Sequence, residues 1–317
     1  MSKQLDVSVV IPTYNGASFI AQTLESVLEQ RLKPIEIVIV DDRSKDNTLE
    51  VVKAISRSTQ VPISIIELDK NSGGPAKPMN IGIQAARAPW IAMLDQDDLM
   101  TPVRLESSLL ALQANPQASI ACGNYRFIDQ DGQQIENRCS QSTFPFLENS
   151  QYPQDGVLRC SGDVWLKRFF TDGGLQQSCS NHVFSKSHWE ALGGYRESAG
   201  FASDYDFFTR GFQHGVIWVK PVVFEKRVHA SNTWCNNEKS EMQMAALQDR
   251  LIEELKHPEA YHWRNEVLLE RARMARWKGH YKLSRSLSLR LLKHGLWADG
   301  LREFLKTSFA NTLAMPK

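Results

Sequence analysis

Short apolar runs alternate with amphipathic stretches through about the first 115 residues. Residues 7–11 are apolar apart from Ser8 and predict a strand. Phe19, Ile20, Leu24, Val27 and Leu28 then recur at helical spacing. Residues 35–40, interrupted only by Glu36, predict a second strand. Asp46-Asn47-Thr48 offers helix caps ahead of Leu49, Val52 and Ile55. Residues 63–68 predict a third strand. After the turn-forming segment 71–75, a helix is expected from about 77 to 88. Residues 90–94 are the next apolar run. Pro102 then falls in the first turn of a helix carried by Val103, Leu105, Leu109 and Leu112. Repeated strand–helix alternation predicts an α/β domain whose parallel sheet is joined by right-handed crossovers.

The second half patterns differently. Residues 120–128 and 133–135 flank Asp129-Gln130-Asp131-Gly132 and predict a hairpin with an Asp-Gly turn. Residues 138–163 are polar and irregular, expected as a loop over the crevice. Val183-Phe184 predicts a strand, and residues 188–192 a short helix ended by Gly193-Gly194. Ser203-Asp204-Tyr205-Asp206 opens a helix through Phe207, Phe208 and Phe212, closed by Gly215. Residues 216–219 and 222–228 predict two strands. Four amphipathic segments follow, at 241–255, 263–279, 281–295 and 301–313. The expected division is therefore a domain over 1–239, with halves 1–115 and 116–239, and a helical C-terminal extension over 240–317.

The 317 residues carry 42% hydrophobic content, enough for one large domain with an extension. A net charge of +1 gives no overall attraction for nucleic acid. Locally the tail is basic: residues 264–306 hold eleven Arg or Lys against four Asp or Glu. That segment reads either as an extension packed on the main domain or as a surface for anionic lipid or a partner. The cysteines, Cys122, Cys139, Cys160, Cys179 and Cys235, form no Cys-x-x-Cys pair and fit free thiols of a reducing compartment. Residues 1–6 lack a signal peptide's apolar core, and no run of about 18 apolar residues occurs. A cytoplasmic location is expected, with peripheral attachment to the inner face of the plasma membrane as the lipid reading adds.

Strand placement changes what the polar residues mean. In a parallel sheet the strands end on one edge, and open α/β sheets take their ligands there. Thr13-Tyr14-Asn15, Asp41-Asp42 and Asp95-Gln96-Asp97-Asp98 each follow a strand and are expected to meet in one crevice. Three carboxylates in four positions repel one another unless a cation or hydrogen bonds offset the repulsion. An Asp-x-Asp alone also fits a solvated turn, and convergence with the other two loops favours a site.

Val9-Val10-Ile11-Pro12-Thr13-Tyr14-Asn15, the segment from Val38 through Asp41-Asp42-Arg43-Ser44 to Thr48, Asn80-Ile81-Gly82-Ile83 and Leu94-Asp95-Gln96-Asp97-Asp98 resemble, in order and spacing, the motifs of family 2 glycosyltransferases. Gly193-Gly194-Tyr195, Ser203-Asp204-Tyr205-Asp206 and Arg227-Val228-His229 with Asn232 resemble the later ones. The resemblance covers roughly residues 5–235. It implies a GT-A fold and transfer, with inversion, of a sugar from a nucleotide diphosphate sugar to a hydroxyl acceptor of a cell-surface polysaccharide or lipid-linked oligosaccharide.

By that resemblance Asp204 is the general base, with Asp206 as competitor on the far side of the helix turn. Ser203 stands where the family usually has Glu. Asp97 and Asp95 are implied as ligands of Mg²⁺ or Mn²⁺ at the donor diphosphate, with His229 a candidate metal or phosphate contact. Asp98 either assists or caps the following helix. Nucleotide-sugar contacts fall to Pro12, Thr13, Tyr14, Asn15, Asp41, Asp42, Lys77, Asn80, Asp95 and Gln96. Many relatives have Arg before Asn80, where this chain has Lys77-Pro78-Met79. A UDP-sugar is favoured, with dTDP- and GDP-sugars open. Of the aromatic residues Trp165, Phe169, Phe170, Trp189, Trp218 and Trp234, most read as core, and Trp165 and Trp234 as the better acceptor contacts.

Two other classes stay in view. A catalytically inactive sugar-nucleotide-binding module would not need Asp204 and Asp97, which are both present. A sugar nucleotidyltransferase normally opens with a Gly-rich basic loop, whereas Pro12-Thr13-Tyr14-Asn15-Gly16 has one Gly and no Lys or Arg.

Overall fold

The computed structural model describes residues 5–139, 155–160, 163, 166, 167, 170, 178–211, 215–230, 232, 238–293 and 296–314. Two compact units form, one of Met1–Gly162 with Leu175–Ala230 and one of Asp163–Gly174 with Ser231–Lys317.

The first unit is built on a sheet of order β3-β2-β1-β4-β9-β6-β10-β5, with β7 on β6 and β8 on β10. Its first strands are β1 Val7–Thr13, β2 Glu36–Asp41, β3 Ile63–Glu67 and β4 Trp90–Met93. They pair in parallel, as the alternation predicts. Val7, Val9, Val10 and Ile11 are wholly buried, each contributing about 1.5–3 kcal/mol on burial. The two polar interruptions of this core are one feature. Ser8 and Glu36 face each other in register, and the Ser8 hydroxyl donates to the Glu36 carboxylate at 2.7 Å. Arg87 completes the pair, its Nε 2.7 Å from Glu36. Burial disfavours the Glu36 charge, but these donors outweigh it and hold the carboxyl below its ordinary value.

Helices α1 Ile20–Leu28, α2 Thr48–Ser56, α3 Ala76–Ala85 and α4 Arg104–Ala114 follow the first four long strands of the alternation. α3 lies so close to the sheet that a Cβ on Gly82 would stand 2.5 Å from Val10 Cγ1; only glycine permits that approach. The chain steps from β1 outward to β2 and β3, then returns to the other side of β1 as β4. The order reverses between β1 and β4, the position where ligands bind in such sheets.

Strands β6 Ile120–Ile128 and β7 Gln134–Cys139 form the expected hairpin, with Gly132 at φ 83°. β9 Val183–Ser185 runs antiparallel between β4 and β6. The two strands expected at 216–219 and 222–228 are one, β10 Val216–Arg227, parallel to β6 with register shifts around Lys220-Pro221. Proline has no N–H for the ladder, and an irregularity absorbs it without ending the strand. Two short strands escape the sequence patterning. β5 Leu99–Met100 pairs antiparallel with β10. β8 Val157–Cys160 does so within the segment expected as loop. Along the main path β3, β2, β1, β4, β6 and β10 point one way, and β9 and β5 oppose them. Helices α5 Lys186–Ala191 and α6 Ser203–Gly211 complete this unit.

The second unit carries α7 Glu238–Leu255, α8 Ala260–Trp277, α9 Tyr281–Lys293 and α10 Trp297–Ala314. Leu268, Ala272, Leu283, Leu287 and Leu291 are central to its own core. α10 starts earlier than its apolar pattern announces because Gly300 is helical. A Cβ there would lie 3.0 Å from Leu291 Cβ, so α9 and α10 meet backbone to backbone. No helix among the described residues is long and apolar enough to cross a membrane.

Candidate active site

The three strand-end loops meet. The Tyr14 N–H donates to Gln96 Oε1 at 2.8 Å and Gln96 Nε2 returns a bond to the Tyr14 carbonyl at 3.0 Å. This ties the loop after β1 to the loop after β4. The Asp42 N–H donates to the Thr13 carbonyl at 2.8 Å, and Thr13 Oγ1 to Asp41 Oδ1 at 3.1 Å, which brings in the loop after β2. Asp41 also takes the Ser44 N–H at 2.9 Å, and Asp42 the Ser72 N–H at 2.7 Å and hydroxyl at 2.9 Å. Asn15 and Arg43 both have positive φ, 50° and 67°. Non-glycine residues adopt that region only where the surroundings hold them there. Tyr14 is 42% exposed on this edge, while Pro12 is half-buried within β1.

The acidic loop is the most heavily bonded part of the site. One oxygen from each of Asp95, Asp97 and Asp98 lies within 4.8 Å of the others. Strand β5 sets this up: by pairing with β10 it draws the loop against the end of that strand. Lys226 Nζ then lies 3.3 Å from Asp95 Oδ2 and 3.2 Å from Asp98 Oδ2. The Arg227 N–H donates to Asp98 Oδ1 at 3.0 Å and its guanidinium to the Asp97 carbonyl at 2.9 Å. The guanidinium also reaches the Asp129 and Gln130 carbonyls and Gln22 of α1. His229 Nε2 is 2.8 Å from Asp97 Oδ2, its ring packed 4.6 Å from that of Phe19. From below, the turn Ser178-Cys179-Ser180 gives Asp95 two donors, Ser178 Oγ at 2.6 Å and Cys179 Sγ at 3.0 Å. Ser180 Oγ donates to Asp98 Oδ2 at 2.6 Å.

These contacts set the charges. Burial opposes ionisation of Asp95, but Lys226 and the Ser178 and Cys179 donors outweigh it and lower its pKa. Burial pushes Asp98 up to about 7; Lys226 opposes the rise, and the charges of Asp97 and Asp95 add to it. Burial disfavours the Lys226 ammonium, yet Asp98, Asp95 and Asp97 hold its pKa well above the lysine value. An all-oxygen, hard donor set of this size fits Mg²⁺ or Mn²⁺.

At the head of α6, Asp204 and Asp206 part company. Asp206 is fully buried, paired with Arg210 at 2.8 Å and 3.6 Å from Arg196. Arg210 in turn donates to the Leu192 and Gly194 carbonyls, so Asp206 fastens the helix to the preceding turn. Asp204 is half-buried, and its Oδ1 accepts the adjacent Tyr205 N–H at 2.8 Å. Burial raises Asp204 to about 7, with the Asp95 charge adding to the shift. Ser203 is buried.

Asn80 stands apart from the strand-end loops. Its amide is spent on the turn before α6: Oδ1 accepts from the Tyr195 N–H at 2.8 Å and Trp189 Nε1 at 3.1 Å, and Nδ2 donates to the Tyr195 carbonyl at 2.8 Å. Lys77 is half-buried in the first turn of α3, and Met79 lies in the core. Trp218 and Phe170 are core residues; Trp165, Phe169 and Trp234 lie outside the described residues. Lys226 and the Ser178–Ser180 turn carry no sequence signal of their own, although Lys226 shares with Asp41 a position at the C-terminal end of a strand.

Known proteins with this pattern point one way. The succinoglycan biosynthesis protein ExoO of Rhizobium meliloti (strain 1021) is 37% identical over 198 residues, 52% of this chain and 56% of that protein. A glycosyltransferase of Rickettsia prowazekii (strain Madrid E) is 29% identical over 230 residues, 72% of this chain and 65% of its own. The chain thus spans less than two thirds of the length of these curated relatives. The crystal structure of S. aureus TarS 1-349 in complex with UDP-GlcNAc superposes with a TM-score of 0.65 at 17% identity, over 98% of this chain and 92% of that one. It confirms the GT-A-type α/β fold. The model of glycosyl transferase family 2 matches residues 8–173, more than half of the sequence and all three strand-end loops: the chain belongs to glycosyl transferase family 2.

Proposed function

We propose that this chain is an inverting glycosyltransferase that moves a sugar from a nucleoside diphosphate sugar to a hydroxyl of a glycan or lipid-linked acceptor. One observation carries the reading. Asp204 is a partly open carboxylate at the head of α6 that accepts the adjacent Tyr205 N–H; burial raises its pKa to about 7, and the Asp95 charge adds to the shift. A base of that strength suits proton transfer at neutral pH. The acceptor oxygen attacks the anomeric carbon as its proton passes to the Asp204 carboxylate. The bond from that carbon to the diphosphate oxygen breaks on the opposite face, and its electron pair leaves with the nucleoside diphosphate.

Asp97, steadied by His229, and Asp95 would hold a divalent cation, with His229 itself as a further ligand or phosphate contact. Bound Mg²⁺ or Mn²⁺ supplies positive charge against the diphosphate as it departs. The exposed Tyr14 ring offers a face for the base, and the Asp42 carboxylate keeps lone pairs for a pyrimidine imide N–H. Pro12, Thr13, Asn15, Asp41 and Gln96 shape that edge, and Lys77 is assigned to phosphate. Asn80 positions the turn that leads into Asp204. A UDP-sugar is the favoured donor. The UDP-GlcNAc complex of TarS supports that choice, and the likeness to ExoO, a succinoglycan biosynthesis protein, supports the assignment to polysaccharide synthesis. Thermal-shift and hydrolysis assays of UDP-, dTDP- and GDP-sugars with Mn²⁺ test the reading. Stabilisation and slow hydrolysis with a UDP-sugar are expected; no response to any nucleotide sugar overturns it.

The C-terminal unit fits an anionic lipid surface on the cytoplasmic side of a membrane. α9 contains no Asp or Glu. Its Lys282, Arg285 and Leu289 line, with Phe304, a groove of about 430 Å³, and Leu301 and Leu305 are exposed on α10. Basic groups beside an apolar ridge suit a headgroup layer. Co-sedimentation with phosphatidylglycerol vesicles should fall sharply in Lys282→Glu/Arg285→Glu; equal recovery of the variant and the parent would remove the lipid assignment.

A further inference from the structure

Lys226 has no part in the proposed function as a contact of nucleotide or acceptor. Its ammonium lies 3.3 Å from Asp95 Oδ2 and 3.2 Å from Asp98 Oδ2, on the same acidic loop that would receive a divalent ion. The side chain remains 19% exposed, so it borders the crevice, while Asp98 is fully enclosed. The groups that feel its charge are anionic or neutral: Asp95, Asp97 and Asp98 from the loop, Cys179 from the turn beneath, and Asp204 at the head of α6. The neighbouring Glu225 is occupied by Arg126, its carboxylate 2.6 Å from the Arg126 Nε. Lys226 thus serves the acidic loop and nothing else on its own strand.

We propose that Lys226 is a resident counter-cation that positions Asp95 and Asp98 and lowers the loop's own affinity for a divalent ion. A lysine ammonium repels an incoming Mg²⁺ or Mn²⁺ and occupies oxygens that the ion would otherwise take. The free protein therefore holds the ion weakly, chiefly through Asp97. The ion is retained only when a nucleoside diphosphate brings its own phosphate oxygens, so that cation and donor bind together. This deepens the proposed function at the same site and rests on it for the identity of the incoming diphosphate. The effect of Lys226 on bare metal affinity does not depend on transfer activity.

The test is Mn²⁺ binding to the full chain, followed by electron paramagnetic resonance without nucleotide. Loss of one positive charge beside the site should tighten Mn²⁺ by roughly tenfold or more in Lys226→Met. Lys226→Arg should stay near the parent, because the charge is kept. Adding Asp97→Asn to Lys226→Met should abolish the gain, which ties the ion to this loop. UDP should tighten Mn²⁺ more in the parent than in Lys226→Met. If Lys226→Met does not fold, Lys226→Gln carries the same comparison, since it keeps two N–H donors without the charge. Unchanged or weaker Mn²⁺ binding in the folded neutral variant overturns the proposal, as does a gain that survives Asp97→Asn. A chain that fails the nucleotide-sugar screen yet shows the expected Mn²⁺ series would separate the failure of the proposed function from that of the counter-cation.

Discussion

The acidic loop and the head of α6 each contain a carboxylate pushed by burial to about 7, Asp98 in the first and Asp204 in the second. Their surroundings are opposite. Asp98 has no exposure and accepts from Ser180, the Arg227 N–H and Lys226. Asp204 is half-buried and accepts the N–H of its own neighbour. The shared pKa shift therefore says little about role, and the partners say more. A carboxylate surrounded by fixed donors holds a loop in shape. One with a free edge and a pKa near neutrality can take a proton from a substrate. Asp206 extends the contrast within a single helix turn, since its ion pair with Arg210 leaves it only a structural task.

The comparison can be broken most forcefully through stability. Asp98→Ala takes from Lys226, Ser180 and the Arg227 N–H their fully enclosed acceptor and should lower unfolding free energy by about 3–5 kcal/mol, measured by urea denaturation. Asp204→Ala should cost far less, since it takes an acceptor only from the Tyr205 N–H and leaves no charged partner behind. Equal losses would erase the distinction. At the nucleotide edge, Tyr14→Ala should weaken UDP binding by about 1–3 kcal/mol through lost stacking, read by calorimetry, with unfolding unchanged. An unaltered affinity would return Tyr14 to ordinary surface packing.

The smallest effect sharpens the contrast by pH. A base with its pKa raised to about 7 is protonated and inactive below that value. The free-protein kcat/KM should thus rise about tenfold per unit up to pH 6 and level above pH 8. The limb should persist in Asp98→Asn, whose titration is not the proton transfer. Loss of the limb in that variant would assign it to the acidic loop instead.

The first 115 residues announced themselves because each strand is a dense apolar run and each helix repeats on one face. Even the exceptions, Ser8 and Glu36, proved mutually satisfied across β1 and β2. The meeting of the strand-end loops followed from parallel geometry. What could not be read was held by contacts distant in sequence. Lys226 reaches Asp95 over 131 residues, and Ser178 reaches the same carboxylate over 83. A two-residue strand such as β5 has no period to detect, yet it brings Lys226 and Arg227 to the loop. Asn80 belongs to a recognisable motif, and only its bonds to Tyr195 and Trp189 reveal that it acts on the approach to Asp204.

The central claim is that Asp204 removes the acceptor proton while the crevice after β1, β2 and β4 holds the donor. Its most direct test is Asp204→Asn, with sugar transfer and donor binding measured on one preparation. The account predicts a loss of transfer on the order of 10³-fold with donor affinity changed less than about twofold, the amide being nearly isosteric with the carboxyl. Near-normal turnover in a folded Asp204→Asn would contradict it.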